Sequence, residues 1–161
     1  MDEFADVLEA HRAYRARFSP APSTVSKGLA IITCMDARLD PAAMLGLEVG
    51  DAVVVRNGGA RVSDEVLSAL IVARHLLQVR RVMVIAHTDC RMTAAAQDEI
   101  HDAIDRAGGP DTRSRHFPVT GDPRKAAVED AERISGDPLL TGLVAGAFIY
   151  DVSTGALEHL R

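Results

Sequence analysis

Apolar positions change their period along this chain, and each change marks the edge of an element. Residues 3 to 18 set Phe4, Val7, Leu8, Tyr14 and Phe18 at helical spacing before Ser19-Pro20-Ala21-Pro22 stops the helix. Residues 1 to 22 therefore read as a helical arm on a tether. From Gly28 to Cys34 the pattern becomes a short β-branched run, Leu-Ala-Ile-Ile-Thr, of the kind found in strands buried on both faces. Ala52 to Arg56 and Val82 to Ala86 are two more such runs. Between them Ser63 caps a helix of about fifteen residues, in which Val66, Leu67, Leu70, Ile71, Leu76 and Leu77 recur near period 3.6.

Asp89 to about Arg106 is predicted as a further helix, and Gly108 to Pro118 as a loop without periodicity. Residues 124 to 134 suit another helix, and Gly142 to Leu160 reads as an apolar strand, a glycine-containing turn and a short returning strand. Strand, helix, strand is the unit from which parallel sheets are made. The expected architecture is one α/β domain spanning 1–161: a three-layer α/β/α arrangement with a mainly parallel sheet of four to five strands and an N-terminal helical arm.

Composition narrows the function classes. The chain has 161 residues, 47% of them hydrophobic, enough for one buried core. A formal net charge of −5, with basic residues scattered, argues against nucleic acid or an anionic membrane as partner. No stretch approaches the roughly 20 apolar residues of a membrane span, so a cytoplasmic location is expected. There are 2 cysteines, Cys34 and Cys90, each among other metal-ligating residue types, which does not resemble a disulfide framework.

Loops beyond the carboxyl ends of parallel strands form the crevice of such a sheet. Three runs end there in reactive residues: Cys34-Met-Asp36-Ala-Arg38, Arg56-Asn-Gly58-Gly59 and His87-Thr-Asp-Cys90. Two thiols and an imidazole on one sheet edge suit a tetrahedral, borderline-soft ion such as zinc rather than calcium or magnesium. Three protein ligands leave a fourth position open, the arrangement in which bound water is acidified. Asp36 is close enough to ligate as well, and Arg38 to hold its carboxylate by a two-pronged pair, which suggests a gate. Gly58 and Gly59 permit close backbone approach, with N–H groups for a small anion. The competing readings are two buried core thiols, Asp36 as the cap of a short helix, and Arg38 as a surface ion pair. Arg56 and Asn57 are expected to stabilise their loop, and His11, His75, His101, His116 and His159 to lie on the surface. A nucleotide-binding doubly wound domain ranks last, because no glycine-rich turn follows the first strand.

The segments CMDAR (34 to 38), RNGGA (56 to 60) and HTDC (87 to 90) resemble the Cys-x-Asp-x-Arg and His-x-x-Cys motifs of the β-class carbonic anhydrases, a likeness covering most of residues 28 to 152. The resemblance implies one Zn²⁺ per subunit on Cys34, His87 and Cys90, with Asp36 and Arg38 as the gating pair. It also implies hydration of carbon dioxide to bicarbonate by zinc-bound hydroxide, in homodimers or homotetramers whose N-terminal helix embraces a neighbour. Two features depart from the family pattern: Arg91 stands where a glycine is common, and tryptophan is absent. Hydrolysis of carbonyl sulfide or carbon disulfide on the same metal, and a non-catalytic zinc- or bicarbonate-binding protein, remain alternatives.

Overall fold

The computed structural model of the protein describes residues 3–93 and 96–161. Five strands form one sheet: β1 (Leu29–Cys34), β2 (Ala52–Asn57), β3 (Arg81–His87), β4 (Val144–Tyr150) and β5 (Leu157–Leu160). Their order is β2-β1-β3-β4-β5, with the first four parallel and β5 antiparallel to β4. The helices are α1 (Ala5–Arg15), α2 (Pro41–Leu45), α3 (Asp64–Leu76), α4 (Gln97–Arg106) and α5 (Pro123–Gly136). Helices lie on both sides of the sheet, as the strand-helix-strand pattern requires.

Alternate residues of the strands separate two apolar layers, because successive side chains point to opposite faces. On one face Ala30, Ile32, Val82 and Val84 pack with Val66 and Leu70 of α3 and Ala127, Ala131 and Ile134 of α5. On the other, Leu29, Ile31 and Ile85 meet Met44, Leu45 and Leu47 in and after α2. The short α2 covers this second face incompletely. An open groove of about 490 Å³ remains there, lined by Leu29, Leu47, Met83 and Phe148 among others. No residue of α1 is buried. Among the described residues no helix is long and apolar enough to cross a membrane.

Three sequence readings need correction. Strand β2 is not buried on both faces: it is the sheet edge, and Val54 is exposed, since a β-branched run looks alike at an edge and at a centre. The helix expected from Asp89 starts only at Gln97. Before it, Asp89 has left-handed backbone (φ 53°), Thr93 Oγ1 donates to the Cys90 carbonyl at 2.7 Å, and Thr120 donates to the Met92 carbonyl through both N–H and Oγ1. That local bond and the two from distant Thr120 hold 89–93 as a loop. His101 is buried, not on the surface: its Nδ1 lies 2.9 Å from Thr112 Oγ1 and its ring against Phe117, tying α4 to the segment before α5.

Candidate metal centre

Parallel pairing sets the stage for the site. Cys34 pairs with Asn57 at the end of β1 and β2, and His87 with Tyr150 at the end of β3 and β4, so both ligating side chains leave the same sheet edge. Cys90 returns from the turn after β3. The donor atoms of Cys34, His87 and Cys90, all buried, lie within 4.8 Å of one another.

The details fit a tetrahedral cation. The two sulfurs are 3.8 Å apart, and two sulfurs each about 2.3 Å from a shared tetrahedral centre stand about that far apart. His87 Nδ1 lies 2.8 Å from the Thr88 carbonyl oxygen; a carbonyl only accepts, so Nδ1 carries the hydrogen and Nε2 of the neutral ring presents its lone pair. That Nε2 is buried and has no hydrogen-bond partner. A buried, aimed and unpartnered nitrogen costs stability unless something such as a cation uses it. Burial, and to a smaller degree Cys34 beside it, pushes the Cys90 thiol up to about 11. A dication supplies the charge that lets such a thiol ionise near neutral pH. The Gly59 N–H donates to Cys34 Sγ at 3.4 Å and the Met92 N–H to Cys90 Sγ at 3.5 Å, as thiolates require.

Gly59 thus differs from the sequence expectation, because its N–H addresses a sulfur rather than a small anion. Its glycine identity has a local cause. At φ 79° a Cβ there would come within 2.7 Å of Thr120 Cγ2 and 3.2 Å of Met92 Cβ. Gly58 faces a cavity of about 310 Å³ together with Cys34, Met35, Asp36, Cys90 and Met92.

Asp36 is turned toward Arg38. Nε and Nη2 of Arg38 donate to its two oxygens at 3.0 and 2.8 Å, and the Arg38 backbone N–H adds a third bond at 2.9 Å. These bonds, with the guanidinium charge, hold the Asp36 carboxyl far below the usual carboxylate range. Arg38 also reaches Asp89, donating to Oδ2 at 2.7 Å and to the carbonyl at 2.9 Å. Asp36 Oδ2 stands 4.0 Å from His87 Nε2, beside the cluster and outside it. The capping reading of Asp36 is overturned: the cap of α2 is Asp40, whose Oδ1 accepts from the Ala42 and Ala43 N–H groups at 3.1 Å. Arg56 donates to the carbonyls of Cys34 (3.0 Å) and Asp36 (2.7 Å), fixing the loop after β1.

One contributor escaped sequence reasoning. Asp130 of α5, almost fully buried, accepts from Arg61 Nε (2.7 Å) and Nη2 (3.2 Å) and from the Val62 N–H (3.1 Å). It clamps the chain just after the Gly58–Ala60 turn, and its only sequence signal is an acid on the inward face of an otherwise apolar stripe of α5.

The chain matches the family model described as carbonic anhydrase over residues 29–113, which contain every residue of this site up to Cys90. It is 36% identical over 163 residues to beta-carbonic anhydrase 1 of Mycobacterium tuberculosis, with 96% of each chain covered. The chain belongs to the β-class carbonic anhydrase family. As a member it is an enzyme of the carbonate dehydratase kind, a lyase. The solved carbonic anhydrase of Streptococcus mutans has the same fold, at a TM-score of 0.90 and 30% identity over 100% of this chain and 99% of that one. A carbon disulfide hydrolase of Saccharolobus solfataricus is 27% identical over 152 residues, 80% of this chain and 74% of that protein.

Proposed function

We propose that the protein hydrates carbon dioxide reversibly to bicarbonate and a proton, with one zinc ion held by Cys34, His87 and Cys90. The observation that carries this reading is the buried, unpartnered His87 Nε2 aimed between two thiols under a small cavity, with Asp36 held to one side. When bound, zinc supplies Lewis acidity at its fourth position, making water a competent nucleophile near neutral pH.

The chain's own residues do the rest. The Arg38 pair keeps Asp36 away from the fourth position. Because that pair also keeps Asp36 ionised at working pH, its carboxylate orients a nucleophile by accepting a hydrogen bond. Met35, Ala37 and Met92 give the cavity an apolar wall suited to a small neutral substrate, and Gly58 lets the backbone approach it closely. Arg56 keeps the Cys34 to Asp36 backbone fixed, which preserves the distance between carboxylate and metal position.

The same reading includes assembly as a homodimer or homotetramer. The unburied α1, with Val7, Leu8 and Tyr14 exposed, the exposed Phe18 after it, and the open apolar groove on the α2 face of the sheet support it.

Stopped-flow hydration of carbon dioxide by zinc-quantified protein, from about pH 6.5 to 9, tests the proposal, with carbonyl sulfide and carbon disulfide run in parallel. Turnover of carbon dioxide that scales with zinc content is expected. Zinc-loaded protein inert toward carbon dioxide but active on a sulfur substrate would transfer the assignment to that hydrolysis, for which the similarity to a carbon disulfide hydrolase is the precedent.

A further inference from the structure

Arg91 follows Cys90 directly and lines the cavity of about 310 Å³ over the metal centre. Its side chain is exposed, and it takes part in no hydrogen bond or ion pair with the described residues; its charge reaches Asp89 only through space. The other two guanidiniums here are held by the protein: Arg38 donates from Nε, Nη1 and Nη2 to Asp36 and Asp89, and Arg56 donates to the carbonyls of Cys34 and Asp36. Formal charges then decide what the mouth presents to an ion. A dication with two thiolates and a neutral imidazole sums to zero, and Asp36, Asp89, Arg38 and Arg56 together also sum to zero. Arg91 makes the mouth positive by one charge.

We infer that Arg91 is a specificity-determining residue that sets the affinity of this cavity for small monoanions, bicarbonate foremost, while leaving the uncharged carbon dioxide unaided. The inference rests on the hydration reading for its natural ligand. It follows from the sign of the field: a mouth made positive by a guanidinium that makes no ion pair with the described residues attracts and holds an anion, whereas without Arg91 the mouth is neutral and offers none of that attraction. A guanidinium keeps its charge across the whole working pH range, so the effect does not depend on titration. Because the carbon dioxide–bicarbonate equilibrium is fixed, kcat/KM in the two directions must change by one common factor. KM for bicarbonate, product inhibition and direct anion binding are therefore the informative quantities.

The test compares parent, Arg91→Gln, Arg91→Lys and, as a control for net charge, Arg106→Gln at the exposed end of α4. Thiocyanate is titrated into the cobalt-substituted proteins and followed by the visible spectrum, and bicarbonate dehydration is measured on the zinc forms. Arg91→Gln is expected to weaken thiocyanate binding and raise KM for bicarbonate by about three- to tenfold at low ionic strength, an effect that shrinks in about 0.5 M sulfate. Arg91→Lys should stay within about twofold of the parent, as should Arg106→Gln. Unchanged anion affinity in Arg91→Gln, failure of Arg91→Lys to retain it, or a parent spectrum that ignores thiocyanate would overturn the inference. A parent that binds thiocyanate through Arg91 but does not turn over carbon dioxide would leave the anion site standing and remove the hydration reading instead.

Discussion

Cys90 and Asp36 lie within one small site and have opposite electrostatic settings. Burial disfavours the charged form of the thiol, whereas the Arg38 fork favours the charged form of the carboxylate. The first becomes a thiolate near neutral pH only with a cation beside it; the second stays ionised well into the acidic range. Two substitutions separate these roles. Cys90→Ala removes one of three metal donors and is expected to purify with little zinc. Asp36→Ala keeps all three, so it should hold zinc near one equivalent while carbon dioxide hydration falls at least about a hundredfold, the scale of a lost positioning group. Metal analysis and stopped-flow rates on the same preparations check both, and an Asp36→Ala protein as active as the parent would dismiss the gate.

At the scale of elements, the site depends on loops that the helices hold in place. The turn Gly58–Ala60 delivers an N–H to Cys34 only because Asn57 brackets it, donating from Nδ2 to the Arg61 carbonyl at 2.6 Å and accepting from the Arg61 N–H at 2.9 Å, and because Asp130 clamps Arg61 to α5. Gly59→Ala asks for a left-handed backbone at a residue with Cβ and places that Cβ against Thr120 and Met92. It is expected to destabilise the protein by about 1–3 kcal/mol in urea unfolding. The damage should reach the metal too, because Thr120 holds the Met92 carbonyl and Met92 in turn donates to Cys90 Sγ. Edge position explains why β2 tolerates the exposed Val54 and Arg56, and the latter's exposure is what lets it reach across to the loop after β1.

For the whole molecule the open question is what covers the second face of the sheet. One apolar layer is closed by α3 and α5; among the described residues the other has the short α2 and Leu47 just after it. An apolar groove there and an arm helix with no buried residue are complementary needs, and stable association requires on the order of 1,200–2,000 Å² of buried surface, more than the groove alone offers. If the arm makes the proposed assembly, deleting residues 1–22 is expected to lower the mass measured by light scattering toward that of the protomer. Equal masses for the parent and the truncated protein would rule the arm out as the assembling element.

Periodicity in the sequence was sufficient for the α/β class, a mainly parallel sheet and the three segments that end in reactive residues, because burial on a sheet and amphipathic helix packing leave their spacing in the chain itself. Ligand chemistry was legible for the same local reason: two thiols and an imidazole at strand ends suit few ions. The cap of α2 was not read from the sequence: Asp36 was the candidate weighed, and the cap is Asp40, before a first-turn proline. What lies between elements was decided by tertiary structure alone. The non-helical path of 89–93, the burial of His101, the Asp130–Arg61 clamp, the edge position of β2 and the aim of the Gly59 N–H at Cys34 all rest on partners far away in sequence. No pattern within one segment records which distant carbonyl, sulfur or carboxylate will satisfy it, since those bonds exist only once the sheet has brought the segments together.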